Sequence, residues 1–310
     1  MSSEDELSKI KDIAEAVATI TDSVPIYQDA IQPAAKEVGK GLEVVGKVVN
    51  RALDPLRAMI WGYDQICDYV VETVSKQLEN YPEDKIKTPP PNIAVPAIEG
   101  LRYTAHDKEL RKLFALLLAT SMKDDLGAFT HPSYVEFIKQ MTSDEARLLK
   151  YFKRCYDKLP FIDVRLHAKD GSHKKILDFC INDFVLRAGC NDWQNANAYL
   201  RNLVRMGLIE LHPYPYLDKT QYEVLKKSFV YLSMEKNVLK NHDDEYELKD
   251  KFGHIELTVF GWKFCEACLD EDDLKQDEAS KQGEKIADLF LHDAKKVEQT
   301  YLERLAKMNL

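Results

Sequence analysis

Several groups of residues have the types and spacings that chemistry would need. Gly41-Leu42-Glu43-Val44-Val45-Gly46-Lys47-Val48 follows the phosphate-loop pattern G-x-x-x-x-G-K up to its last position. Val48 offers no hydroxyl for Mg²⁺, and no strand precedes the run. Leu42 and Val45 instead continue a helical apolar stripe, so the glycines read as points of close helix approach. Cys265-Glu266-Ala267-Cys268 is a single C-x-x-C, whereas a structural zinc site generally needs two such pairs. It falls on an expected helix whose buried face holds Phe264, Cys265 and Cys268, so the thiols read as core groups.

Arg205 and His212 have the Arg–His spacing of certain helical ribonucleases, but Gly207 ends the helix between them and Leu208–Leu211 reads as strand. Glu247-Leu248-Lys249 has the form of a nuclease E-x-K fragment, yet it reads as part of an acidic loop after Asp243-Asp244. No H-E-x-x-H or G-x-S-x-G motif is present. The positive lead is a helix near Trp193, Gln194, Asn195, Asn197, Arg201 and Arg205, with Lys174, Lys175 and Arg187 close in sequence. Asn and Gln can read adenine edges, and Arg can read guanine or hold phosphate. The same residues would also serve a protein-docking face, since a clear basic stripe is missing. These nine residues are the candidate contacts with nucleic acid or a partner. No catalytic residue, metal ligand or cofactor site is assigned.

The chain that positions these groups has 310 residues, 45% hydrophobic and 31% charged, with a formal net charge of −9. This is a globular composition with room for roughly two domains. It excludes a uniformly basic nucleic-acid binder. Lys+Arg minus Asp+Glu is −7 over residues 1–100, +6 over 101–240 and −8 over 241–310. A basic middle between acidic ends means either a polyanion site or attraction within the molecule. The first residues are acidic, and no positive region leads into an apolar stretch, so a cytoplasmic location is expected. Six cysteines in this length do not make a disulfide framework.

Apolar spacing predicts an amphipathic helix over 4–22 and a heptad-like stripe from Val38 to Leu78, interrupted at Asp54-Pro55. Triproline Pro89-Pro90-Pro91 marks a boundary. Helices follow at about 106–122 and after His131-Pro132-Ser133. Thr142 and Glu145 have capping-box spacing at the start of another. Strands are expected at Ile162–Leu166, Leu208–Leu211 and His254–Thr258. Helices are expected at Ile176–Ala188, Trp193–Met206, and Phe260–Leu269, with a further one through Tyr222, Leu225, Phe229 and Leu232. A last helical face runs from Phe290 to Met308 after an acidic linker at Asp270–Asp273. This order reads as a mainly α chain: a helical N-terminal region, a winged-helix-like C-terminal half and a terminal helix. The expected domains are a long helical region at 1–87, a helical core at 88–141, a winged-helix-like domain with an inserted helix at 142–270, and a C-terminal helix at 271–310.

Certain runs are similar to the Abi-alpha family of bacterial proteins. They are Pro33–Lys40 (PAAKEVGK), Pro89–Tyr103 (PPPNIAVPAIEGLRY), Glu109–Ala119 (ELRKLFALLLA) and His131–Ala146 (HPSYVEFIKQMTSDEA), with Ile255–Gly261 (IELTVFG) in the C-terminal half. The combination is specific where each run alone is not. The family name stands for abortive infection, so the resemblance implies a role in bacteriophage resistance, in which an infected cell limits phage production at its own expense. It brings no catalytic residues to carry over. A non-enzymatic defence component is therefore expected, acting through protein or nucleic-acid contacts, with a protein partner or a second copy of the chain favoured. The alternatives are a membrane-acting effector using residues 33–78, and a cryptic nuclease. Acidic residues offset the cations of 33–78, so membrane contact is the less favoured.

Overall fold

The computed structural model describes residues 63–82, 85–87, 89–104, 106–125, 130–172, 174–228, 231–232, 235, 246–275 and 278–292. The phosphate-loop-like run at 41–48, the helix at 4–22, most of the 33–78 stripe and the face from Phe290 to Met308 beyond His292 lie outside the described residues. The chain divides into two units between Gln140 and Met141. Among the described residues, no helix is long and apolar enough to cross a membrane.

The first unit holds helices α1 (Tyr63–Leu78), α2 (Pro91–Thr104), α3 (Lys108–Ser121) and α4 (Ser133–Lys139). Leu110 and then Leu113 to Ser121 of α3 are all buried, as expected of a helix that neighbours surround. Asp107 caps it, its carboxylate accepting from the N–H groups of Glu109 and Leu110. The end of the heptad stripe supplies Val70, Val74 and Leu78 to the same core. Pro91 of the triproline starts α2, where a missing N–H costs nothing.

The second unit opens with α5 (Ser143–Cys155). The capping box is present: Glu145 N–H donates to Thr142 Oγ1 at 3.3 Å and Thr142 N–H to Glu145 Oε2 at 2.6 Å. Then come β1 (Leu159–Ala168), β2 (Lys174–Ile181), α6 (Phe184–Arg187), α7 (Ala196–Arg205), β3 (Ile209–His212), α8 (Lys219–Lys226), β4 (Tyr246–Leu257), α9 (Val259–Cys268), α10 (Glu271–Leu274) and α11 (Glu278–His292). The strands form one antiparallel sheet in the order β2-β1-β4-β3. One face carries Ile162, Val164, Leu166 and Ile181 onto Tyr222, Leu225 and Tyr231.

This corrects the mainly α, winged-helix-like reading: the described chain is an α/β mix built on a four-stranded antiparallel sheet. Two segments account for the difference. Residues 174–181 are strand β2, not the first part of a helix from Ile176 to Ala188. A short apolar run such as Ile176 to Ile181 satisfies both periodicities, and pairing with β1 decides between them. Residues 246–253, including Glu247-Leu248-Lys249, lie in the twelve-residue β4 rather than in an acidic loop. The helix expected at Tyr222 and Leu225 is present as α8, with both side chains buried. The acidic stretch at Asp270–Asp273 forms α10, where Asp273 meets Lys150 at 2.8 Å in a mostly buried pair.

Asp144 ties the helices of this unit together. It is 5% exposed. Its carboxylate accepts from the Asn191 and Asp192 N–H groups at 2.9 and 3.0 Å, from Tyr199 Oη–H at 3.2 Å and from Arg147 Nη1 at 2.9 Å. Beside it, Glu145 Oε1 accepts from Asn202 Nδ2 at 2.7 Å. Both bonds to α7 therefore start from the first turn of α5. At the other end of α7, Thr258 Oγ1 donates to Gly207 C=O at 2.6 Å and accepts from Gly261 N–H at 2.8 Å. Gly261 is needed there because a Cβ would lie 1.9 Å from the Leu208 carbonyl oxygen.

Asp144→Ala strands two backbone donors and a partly buried guanidinium, so it should lower unfolding free energy by about 3–5 kcal/mol. Gly261→Ala must push α9 off Leu208 and should cost about 1–3 kcal/mol. Urea unfolding followed by circular dichroism measures both.

Candidate functional site

The β3–β4 ladder places two mirrored triplets opposite each other. Glu210-Leu211-His212 runs along β3 and His254-Ile255-Glu256 along β4. Antiparallel register pairs His212 with His254 and Glu210 with Glu256. Because side chains alternate between faces, all four polar groups fall on one side, and Leu211 and Ile255 on the other.

The chain after β3, His212-Pro213-Tyr214-Pro215-Tyr216, folds back over this face. Its two prolines restrict φ and stiffen the turn. His254, 1% exposed, has its Nδ1 3.1 Å from the Tyr214 carbonyl oxygen. A carbonyl only accepts, so Nδ1 carries the proton and the Nε2 lone pair is left available. His212 Nδ1 lies 3.1 Å from Tyr214 Oη. The two imidazoles stack with centroids 4.7 Å apart. His212 Nε2 is buried and makes no hydrogen bond, although it lies 3.0 Å from Glu256 Oε1 and 3.4 Å from Glu210 Oε2. Lys158 Nζ is 3.4 Å from Glu256 Oε2 and 3.7 Å from the Tyr216 ring centre. Burial lowers the His254 pKa, opposed by the bond to Tyr214 and helped by the nearby Lys158. Ligand atoms of His212, His254 and Glu256 lie within 4.8 Å of one another. Beside them Tyr214 and Tyr216 are 53% and 66% exposed. The arrangement offers imidazole and carboxylate ligands at its base and aromatic surface at its rim.

The contact residues expected from sequence are only partly assembled. Gln194, Asn195, Asn197, Arg201 and Arg205 lie together on 193–205, with Arg201 and Arg205 one turn apart and exposed. Several are engaged within the protein: Asn197 Oδ1 accepts from Cys180 N–H at 3.0 Å, Asn195 Nδ2 donates to Asp192 at 2.6 Å, and Arg205 bonds Asn202 Oδ1 at 2.7 and 3.0 Å. Arg187 turns to Asp183 and Asp288. Lys174 and Lys175 start β2, about 20 Å along the strand from Cys180, and so away from α7. Their side chains and that of Trp193 lie outside the described residues.

The Arg205–His212 pair is not a site, since Gly207 ends the turn after α7 with φ 70° and His212 faces His254. Glu247 and Lys249 pair with each other at 2.8 Å on the exposed side of β4. Cys265 and Cys268 are buried core thiols, as expected, and burial pushes Cys265 up to about 12. The imidazole cluster escaped the sequence reading. The mirrored Glu-x-His and His-x-Glu triplets were the available signal.

The family model for abortive infection alpha matches residues 62–268. The chain belongs to the abortive infection alpha family. Membership brings an abortive-infection, phage-defence role. The matched region of this abortive infection alpha chain runs from α1 through α9, so it takes in α7 and the imidazole cluster. A solved structure of an uncharacterized protein from the hydrocarbon-degrading marine bacterium Alcanivorax borkumensis SK2 is 14% identical, with a TM-score of 0.31; the match covers 46% of this chain and 94% of that one. No curated protein matches the chain.

The cysteine environments give a direct check. Only the thiolate alkylates, and a raised pKa keeps Cys265 protonated even at pH values that ionise a free thiol. Native protein treated with iodoacetamide near pH 9 should be labelled at the partly exposed Cys180 and spared at Cys190, Cys265 and Cys268. All four should label in denaturant, as read by peptide mass spectrometry.

Proposed function

We propose that this abortive infection alpha protein is a bacterial, cytoplasmic defence component that works by contacting a macromolecule rather than by catalysis. The observation that carries this reading is the Tyr214–Tyr216 rim: two tyrosines more than half exposed on a proline-stiffened turn. Tyrosine in such a position supplies large contact area at little entropic cost, because the turn is already ordered. Glu210 and Glu256 beneath the rim repel phosphate and Lys158 is the nearby cation, so a protein surface, including a second copy of this chain, is the favoured partner. Nucleic acid is the second reading, supported by Arg201 and Arg205 exposed one turn apart on α7.

Cells carrying the gene, challenged with a restricted phage, separate the two. Tyr214→Ser with Tyr216→Ser should raise plaquing efficiency toward the unprotected level while the protein stays folded and abundant. Arg201→Ala with Arg205→Ala should leave protection intact. The opposite pattern, with wild-type binding to nucleic acid that weakens steeply with salt, supports the second reading. Full protection by both variants overturns both.

A further inference from the structure

We propose that His212, His254 and Glu256 form a binding site for one divalent transition-metal ion of the zinc type. This goes beyond the contact reading above and does not depend on it. Four features of the β3–β4 ladder support the site.

First, one ligand atom from each of the three residues lies within 4.8 Å of the others, and His212 Nε2 and Glu256 Oε1 are 3.0 Å apart. Ligands about 2.0–2.1 Å from a tetrahedral ion stand roughly 3.3 Å from one another, so a small inward rotation closes the set. Second, both imidazoles are held through one ring nitrogen, Nδ1, which leaves Nε2 as the other ligand atom. His254 Nδ1 is bonded to the Tyr214 carbonyl and His212 Nδ1 to the Tyr214 hydroxyl. This is how ligating histidines are oriented in metal sites, with one nitrogen fixed and the other aimed at the ion. Third, His212 Nε2 is buried with the Glu256 and Glu210 carboxylate oxygens 3.0 and 3.4 Å away but makes a well-directed hydrogen bond to neither, and a metal ion between them would satisfy the nitrogen and the carboxylates together. Fourth, Glu210 and Glu256 sit directly opposite each other across the ladder. Like charges so placed are destabilising, and the adjoining Lys158 offsets only part of that charge. A divalent cation would neutralise the pair.

Two imidazoles and a carboxylate suit zinc, cobalt or nickel rather than magnesium or calcium, which prefer all-oxygen shells. Glu210, whose Oε2 is 3.4 Å from His212 Nε2, adds negative charge beside the ion. A bound ion would also pin the Tyr214–Tyr216 turn through the two bonds that His212 and His254 make to Tyr214.

The test uses the purified full-length chain, stripped of metal and titrated with zinc chloride, with bound metal counted by mass spectrometry after desalting. Cobalt chloride gives a second readout through its visible spectrum. The wild type should take up one equivalent and show the cobalt bands of a nitrogen and oxygen site, with no thiolate-to-cobalt charge transfer. His212→Asn and Glu256→Gln, both at partly exposed positions that leave the core intact, should each weaken uptake by at least about tenfold. Wild-type protein without uptake, variants that bind as the wild type does, or a thiolate charge-transfer band would each overturn the proposal. Phage protection does not enter this readout, so its failure and that of the contact reading are distinguishable.

Discussion

The second unit depends on one buried carboxylate. Asp144 stands in the first turn of α5, where a negative charge is favoured by the exposed N–H groups of the helix end. It spends its lone pairs elsewhere as well. Two go to the backbone of Asn191 and Asp192, one to Tyr199 and one to Arg147. The turn before α7 and the body of α7 are thereby set against α5. Position then passes along the chain. Leu208 N–H bonds back to Leu203, Thr258 clasps the Gly207 carbonyl, and β3 leaves in register with β4. The placement of His212 opposite His254 is thus the far end of a chain of hydrogen bonds that begins at Asp144.

Local signals in the sequence were reliable where one residue settles the outcome. The Thr142–Glu145 capping box, the stop at Gly207 and the helix through Tyr222 and Leu225 all appear in the structure. The long sheet did not announce itself. In β4, Tyr246, Leu248 and Phe252 alternate as a strand should, but Asp250 occupies the same inward series. It is tolerated there because Tyr231 Oη–H donates to it at 2.9 Å and Lys226 meets it at 2.8 Å. Both partners are about twenty residues away in sequence, so the break in the pattern reads as polar loop until they are known. The imidazole cluster was hidden for a related reason. Each Glu–His pair is visible at spacing two, but only the register shows that the two pairs face each other.

The uneven charge along the chain has an explanation within the second unit. Cations of the basic middle meet acids of the last third: Lys150 with Asp273, Lys153 with Glu266, Arg154 with Glu284, Lys158 with Glu256, Arg187 with Asp288 and Lys226 with Asp250. Most of these pairs are partly exposed and individually worth no more than about 1 kcal/mol. Together they orient α9, α10 and α11 on α5 and α6. They also engage cations that a polyanion site would need; α7 itself carries two, Arg201 and Arg205, both exposed.

The acids at Asp144 and at the β3–β4 ladder, where Glu210 is exposed and Glu256 partly buried, are held differently. Around Asp144 every acceptor direction is answered, and the carboxylate acts as structure. At the β3–β4 ladder the acids face each other and an imidazole nitrogen is buried without a hydrogen bond. Proteins tolerate such local conflict chiefly where function requires it, since the same residues could be exchanged for a neutral pair at a gain in stability. Asp250, the acid on the inward face of β4, is answered as Asp144 is, by Tyr231 and Lys226. At His212, Glu210 and Glu256 the unanswered groups are charged acids and an imidazole, an arrangement that the stability of the sheet does not require, and it lies beneath the exposed Tyr214–Tyr216 rim.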